Sequence, residues 1–320
     1  MNKQRNKFTG GLIKNATDGF NILVQPRDSV PSENIAQNAK ENLGLLPKDC
    51  WITKSLINDE IAWVVSAGPS LERLLKNGYL RPEWFDNTKN KLFTIKHALP
   101  LLAKYGLRPH FCVVLDPREI TGISTHGYLR QTLYSAAPKS TKFLVASMTH
   151  SSVTRWLTRN GYEIYGWHSA ANGLTGTKEA PGPLSHVTNF VQGGTCSATR
   201  SISLAHYLGF RTVNLLAFDS NLRDKPKDFE AIEEIEGKKI RKFWPVTIGQ
   251  GGKEFWTTGE LIAQLQDLQM FLSDDIPDVK INILGADKGT SLIGALNESI
   301  INKTHLKHYS SQIGEWKNDN

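Results

Sequence analysis

The sequence predicts an α/β protein built around a doubly wound, mostly parallel β-sheet. Three observations carry this expectation. Short, nearly continuous apolar runs recur along the chain, as expected of strands buried on both faces. Segments with apolar residues at helical spacing stand between them. Glycine-bearing turns open helices at two places, Ser66–Ser70 directly after a strand and Gln192–Thr195.

The elements follow in order. Residues 1–59 form a polar, Asn-rich N-terminal arm, with a helix from Ser32 to Leu43 that Ser32 can cap. Residues 60–295 hold the α/β domain. Ile61–Ser66 reads as a buried strand, and Leu71, Leu74 and Leu75 mark one face of the helix after it, closed at Gly78. Leu92–Ile95 is a second strand, His97–Tyr105 a helix, and Phe111–Leu115 a third strand ending at Asp116-Pro117. Thr141–Ala146 and Glu163–Trp167 are strands on either side of a helix from Ser151 to Arg159. Ser169–Pro183 is a long Gly- and Pro-rich loop. Ala198, Ile202, Ala205 and Leu208 line one helical face, and Thr212–Phe218 is a buried strand ending at Asp219. Residues 220–257 form a long polar excursion, including mixed charges from Arg223 to Lys242. A helix from Thr258 to Leu272 and a strand at Lys280–Leu284 follow. This βα rhythm is that of a doubly wound sheet. Residues 296–320 are a polar C-terminal tail.

Composition narrows the class. The 320 residues are 39% hydrophobic and 22% charged, which excludes a mostly disordered or fibrous chain. No apolar run reaches the roughly 18 residues of a membrane helix, and the basic start MNKQRNKFTGG lacks the apolar stretch of a secretory signal. Cys50, Cys112 and Cys196 form no CxxC pair, so a disulfide framework and a structural zinc are not predicted and the cytoplasm is the expected compartment. The net charge of +7 favours anionic small-molecule partners, and no nucleic-acid-binding signature accompanies it. Part of that charge, Lys3, Arg5, Lys7 and Lys14, lies in the arm.

Three places can carry chemistry. The turn Ala67-Gly68-Pro69-Ser70 points backbone N–H groups and the positive end of a helix dipole into a crevice. Gly68 admits close approach, Pro69 suits the first helical position, and Ser70 can cap the helix or bond a ligand oxygen. A tight connection with no ligand satisfies the same residues. Gly193-Gly194-Thr195 repeats the arrangement before the second strong helix, and both can face one crevice at the strand ends. Neither turn is a Walker loop or GxGxxG. Asp116 and Asp219 each follow an apolar strand directly. Together they can hold Mg²⁺ beside a polyphosphate or bond substrate hydroxyls; each can equally cap its own turn.

Among the histidines, His150, His168 and His186 lie in loops where a general base can stand, whereas His97, His206 and His308 read as packing or surface residues on helices. His126 and His305 have no informative context. Lys253, after Gly251-Gly252, can reach a phosphate or simply be a solvated loop residue.

These segments resemble one family. Val64–Glu72 is similar to the glycine-proline-serine-leucine signature of the MptE-like family, named for the archaeal 6-hydroxymethylpterin diphosphokinase. That family also includes the motility accessory factor glycosyltransferases that modify flagellin. Thr94–Pro117, Phe143–His150 with Tyr165–Trp167, Gln192–Asp219, and Phe255–Thr258 with Ile281–Gly285 and Ile293-Gly294 resemble its further segments, in the same order. The resemblance covers roughly residues 60 to 295 and implies a Rossmann-like fold. It implies a nucleotide-dependent transferase, first a diphosphokinase moving a diphosphoryl group from Mg-ATP to a hydroxyl acceptor. Gly68 and Ser70 would cradle phosphate while Asp116 and Asp219 position metal or substrate. The alternative is a glycosyltransferase using a nucleotide-activated acidic sugar. The Gly-Pro-Ser turn also resembles that of bacterial sialyltransferases, in which a loop histidine is the base, and this makes His150, with His168 and His186, a candidate. A third possibility is a catalytically silent nucleotide-binding module. The N-terminal arm and the Phe255–Ile293 extension depart from a minimal pterin kinase and look more like the accessory-factor side.

Overall fold

The computed structural model describes residues 30–295 apart from 87, 124–126, 171–173, 177–180, 236–237, 248–252, 272–277 and 288. Lys3, Arg5, Lys7, Lys14, His126, Gly251, Gly252, His305, His308 and the tail 296–320 lie outside the described residues.

The elements are α1 (Ser32–Leu45), β1 (Ile61–Val65), α2 (Ser70–Lys76), β2 (Asn90–Ile95), α3 (Leu99–Lys104), β3 (Phe111–Val114), α4 (Arg130–Ser135), β4 (Lys142–Ala146), α5 (Ser151–Arg159) and β5 (Ile164–Trp167). Then come α6 (Ser197–Tyr207), β6 (Thr212–Leu216), β7 (Ile232–Ile235), β8 (Lys238–Arg241), β9 (Phe243–Thr247), β10 (Glu254–Thr258), α7 (Gly259–Met270) and β11 (Lys280–Leu284). Seven strands form one sheet in the order β11-β6-β1-β2-β3-β4-β5. Every pair in it is parallel. The sequence-based reading of a Rossmann-like, doubly wound α/β fold therefore holds.

Alternation along each strand divides the core into two layers. Ala62 and Val64 of β1 turn to one face and pack with α6 and α7 residues such as Ile202 and Ile262. Trp63 and Val65 turn to the other and meet Leu71 and Leu74 of α2. The same second face, farther along, holds Phe143 and Val145 of β4 against Val153 and Leu157 of α5. Both faces are covered, which is why these strands read as unbroken apolar runs.

Three expectations need correction. Residues 32–45 are not a peripheral arm. Ile35 and Ala39 are fully buried in the first core layer, a contribution of about 2–3 kcal/mol for the isoleucine alone. Ser32 does not cap α1; it is the first helical residue, and Pro31 stands at the cap without a side-chain bond. Finally, the polar excursion holds two antiparallel pairs, β7 with β8 and β10 with β9. Mixed charges hid the first pair, whose sequence has no apolar alternation.

The polar side of α1 is a clasp. Asn42 is fully buried; its Nδ2 donates to the carbonyls of Ser147 at 2.9 Å and Thr149 at 2.6 Å, and its Oδ1 accepts from Thr154 Oγ1 at 2.7 Å. Asn38 Nδ2 donates to the carbonyls of Pro117 at 3.1 Å and Met148 at 3.2 Å. Two asparagines one helical turn apart thus tie together the loops leaving β3 and β4. Asn42→Ala strands two buried carbonyls and a hydroxyl, and is expected to cost about 3 kcal/mol of unfolding free energy. Urea denaturation measures it; a loss below about 1 kcal/mol would contradict the clasp.

Candidate functional site

The chain leaves β1 through α2 toward β2 and later returns through α6 to β6, on the other side of β1. These two connections lie on opposite faces of the sheet. Between β1 and β6 the strand order therefore reverses, and ligands of open α/β sheets bind outside the strand ends at such a point. The Ser66–Ser70 turn sits there, with Ala67 exposed and Gly68 half-buried.

Asp219 shapes this turn from β6. Ser70 N–H donates to its Oδ2 at 2.7 Å, and Gly68 N–H donates to the Ala217 carbonyl at 3.0 Å. A Cβ on Gly68 would collide with the Ala217 carbonyl oxygen and the Asp219 carboxylate, lying 2.9 Å from its Cγ. Only glycine fits. Ala217 and Ser220, on either side of the Phe218-Asp219 pair, both have φ of 56°, the left-handed region that side chains rarely adopt. The backbone is bent twice around the aspartate, a strain of order 1 kcal/mol or more at each residue. Asp219 is 1% exposed. Burial pushes its carboxyl up, against the lowering effect of the Ser70 N–H. Gly68, Ser70 and Asp219 are thus brought together, but the anion at this helix start is the protein's own.

The second glycine turn is filled in the same way. Gly193 and Gly194 have φ of 79° and 77°. Thr195 donates to Asp267 Oδ2 from its N–H at 2.6 Å and its hydroxyl at 2.7 Å, and Thr199 Oγ1 donates to the same oxygen at 2.7 Å. Asp267 comes from α7, is buried, and is also pushed up by burial. The two turns thus precede helices that cover opposite faces of the sheet, and each is closed by its own aspartate.

Asp116 has a different environment. Its Oδ2 is paired with Lys96 and lies 2.9 Å from Arg130 Nε; its Oδ1 accepts from Arg118 Nε at 2.8 Å and Arg118 N–H at 3.2 Å. Burial alone would raise this carboxyl, but Lys96 and Arg118 outweigh it and hold the group well below the carboxylate range. Asp116 and Asp219 stand at the ends of strands three places apart, about 14 Å at the usual strand spacing. One ion cannot touch both, and three cations already neutralise Asp116. The pair does not fit a shared Mg²⁺ site. No group of three or more His, Cys, Asp or Glu among the described residues could hold a metal.

His150 stands beside Asp116, donating its N–H to the Asp116 carbonyl at 3.0 Å. Its ring caps α5: Nδ1 accepts from Ser152 N–H at 3.2 Å and lies 2.8 Å from Ser152 Oγ. That lone pair is spent on the cap. His168 stacks on Trp51 with ring centroids 4.3 Å apart, and burial lowers its pKa to about 4, leaving it neutral. His97 lies in the turn before α3 rather than on the helix. Lys253 Nζ bonds the Gly289 carbonyl, which supports the loop reading.

Lys96, Arg118, Arg130 and Asp267 are the residues that the sequence reading missed. Lys96 directly follows an apolar strand and Arg118 directly follows Asp116-Pro117, so both carry a positional signal. Asp267 carries another, a charge on the otherwise buried face of α7. Arg130 carries none.

The raised Asp219 carboxyl has a defined consequence. The folded state holds this proton more tightly than the unfolded chain does, so the group's contribution to stability falls as pH rises above the ordinary aspartate value of about 3.9. Asp219→Asn is expected to fold and to gain stability relative to the unaltered protein as pH rises through that window. Paired denaturation curves at acid and neutral pH check this; a pH-independent difference would refute it.

A comparison with curated proteins finds no match. Among solved structures the chain is similar to a MAf glycosyltransferase from Magnetospirillum magneticum AMB-1, at 12% identity and a TM-score of 0.49. The similarity covers 79% of this chain and 38% of that one, so the chain spans well under half of that protein's length. No helix among the described residues is long and apolar enough to cross a membrane. The family described as 6-hydroxymethylpterin diphosphokinase MptE-like matches residues 33–225. This range takes in the Gly68 turn, the Asp116 cluster and the Asp219 bend and spans more than half of the sequence: the chain belongs to the MptE-like family.

Proposed function

We propose that the protein is a nucleotide-dependent transferase that seats its donor against the Ala67–Ser70 turn and passes a group to a hydroxyl acceptor. The observation that carries this reading is the position of that turn at the β1/β6 switch point. Ala67 is exposed there, Gly68 has no room for a side chain, and Asp219 is locked underneath. The missing side chain at Gly68 makes room for the Asp219 carboxylate, which holds the turn in shape from below, and the exposed Ala67 is the side against which a donor would lie.

The first reading is diphosphoryl transfer from ATP, after the family's description. The acceptor oxygen would attack the β-phosphorus, the α–β bridging bond would break, and AMP would leave. Such transfers depend on alignment and charge neutralisation more than on covalent chemistry by the protein. The second reading is glycosyl transfer from a nucleotide-activated acidic sugar, with the nucleotide as leaving group. One observation favours it: Asp116 and Asp219 do not pair as metal ligands, and the positive charge at the strand ends is borne by side chains. In both readings His150 caps α5 through Nδ1, and Nε2 is the ring nitrogen that would serve as a base.

A binding panel of ATP, CMP, UDP and GDP, with and without Mg²⁺, tests the proposal. Diphosphoryl transfer predicts a preference for ATP and AMP release that requires an alcohol acceptor. Glycosyl transfer predicts tighter binding of another nucleotide, such as CMP, and its release from the sugar donor. Gly68→Val is expected to weaken donor binding at least tenfold. Binding without turnover of either donor type would leave a silent nucleotide module, and failure of all four nucleotides to bind would end the proposal.

A further inference from the structure

The buried charge around Asp116 does not balance. One carboxylate is met by three cations, and two of them are almost wholly enclosed: the side chains of Lys96 and Arg130 are 11% and 5% exposed. Arg118, 31% exposed, forms the outer side of the cluster. The cluster therefore carries an excess of two positive charges. Glu260 at the start of α7 is close enough for its charge to act on Arg118. No ion pair joins Glu260 to the cluster among the described residues, and its side chain is exposed. Burying cations in excess of their counter-charge is costly, and burial pushes the Lys96 amine down despite Asp116 beside it. Among the described residues, Asp116 is the carboxylate that pairs with all three. Asp116 needs one partner for neutrality, and Arg130 already has a second anchor in the Glu119 carbonyl, 2.9 Å from Nη1.

We propose that Lys96, Arg118 and Arg130, gathered on Asp116 at the ends of β2 and β3, form a binding site for a phosphate or diphosphate dianion. Asp116 spaces and orients the cations; Arg118 engages it with Nε and Nη2, at 2.8 and 3.3 Å, and has the Nη1 side of its guanidinium to present to an anion. A guanidinium carries five donors in a plane suited to phosphate oxygens. The excess charge of two matches a dianion. Lys96 follows β2, the neighbour of β1, so the cluster lies beside the Ala67–Ser70 turn along the same sheet edge. Its use for a donor's phosphates rests on the function proposed above; its affinity for phosphate does not.

The test is titration of the intact protein with inorganic pyrophosphate by calorimetry, with Arg118→Gln as the variant. Lys89→Gln, the same charge change at the opposite edge of the sheet, is the control. Pyrophosphate is expected to bind the unaltered protein and Lys89→Gln alike and to bind Arg118→Gln at least tenfold more weakly, with Arg118→Lys in between. Equal affinity in Arg118→Gln and Lys89→Gln would overturn the site. A thermal-shift measurement keeps the idea exposed should Arg118→Gln not fold. Pyrophosphate must raise the Tm of the unaltered protein above that in sodium chloride of equal ionic strength, and no difference would overturn the site. The two proposals can fail separately. Pyrophosphate binding lost in Arg118→Gln, in a protein that takes up no nucleotide, upholds the site and removes the donor reading. Nucleotide turnover with an unchanged KM in Arg118→Gln does the reverse.

Discussion

The bond from Ser70 N–H to the Asp219 carboxylate is the constraint on which the sheet's working edge depends. It joins the first turn of α2 to the end of β6, elements far apart in sequence and adjacent in space. It requires glycine at position 68 and left-handed backbone at Ala217 and Ser220. A family of alternatives at this point of the fold is thereby reduced to one shape. A helix start offers unpaired N–H groups and the positive end of a dipole. Here a buried carboxylate satisfies it from a neighbouring strand.

The same device recurs with Asp267 and the Gly193-Gly194 turn, and a contrasting one with Asp116. The three aspartates are all buried, yet their protonation equilibria move in opposite directions. Asp219 and Asp267 are bonded by backbone amides or hydroxyls, which do not offset desolvation, and their carboxyls are pushed up. Asp116 is bonded by full positive charges, which do offset it, and its carboxyl is held down. Partner charge, rather than depth of burial, decides the sign. It also separates their roles: Asp219 and Asp267 anchor helices, whereas Asp116 assembles cations.

The N-terminal helix is integral to this edge. Asn38 and Asn42 bond carbonyls in the loops after β3 and β4. Those loops carry Asp116, Arg118 and His150, so the clasp sets how the cation cluster sits above the sheet. At the far edge Trp51 packs against Gly166 of β5 and stacks on His168. The segment before β1 therefore braces two parts of the sheet.

The strands and most helices were legible in the amino-acid sequence, because burial on both faces demands unbroken apolar runs and helices demand one apolar face. These patterns are local and survive without knowledge of neighbours. The Gly68 turn was legible for the same reason, since a strand running into Gly-Pro-Ser has few other conformations. What occupies the turn was not. Whether a helix start faces a ligand or an internal aspartate, whether two carboxylates share an ion, and whether Asn-rich residues are arm or clasp all depend on which distant segments come within hydrogen-bond reach. Arg130 illustrates the limit: it lies at the start of a short, weakly patterned helix and joins Lys96 and Arg118 only because the ends of β2 and β3 meet the start of α4. Sequence periodicity determines which side of an element is buried; only the tertiary structure decides which charges meet there, because electrostatic pairing acts over a few ångströms of space and has no fixed spacing along the chain.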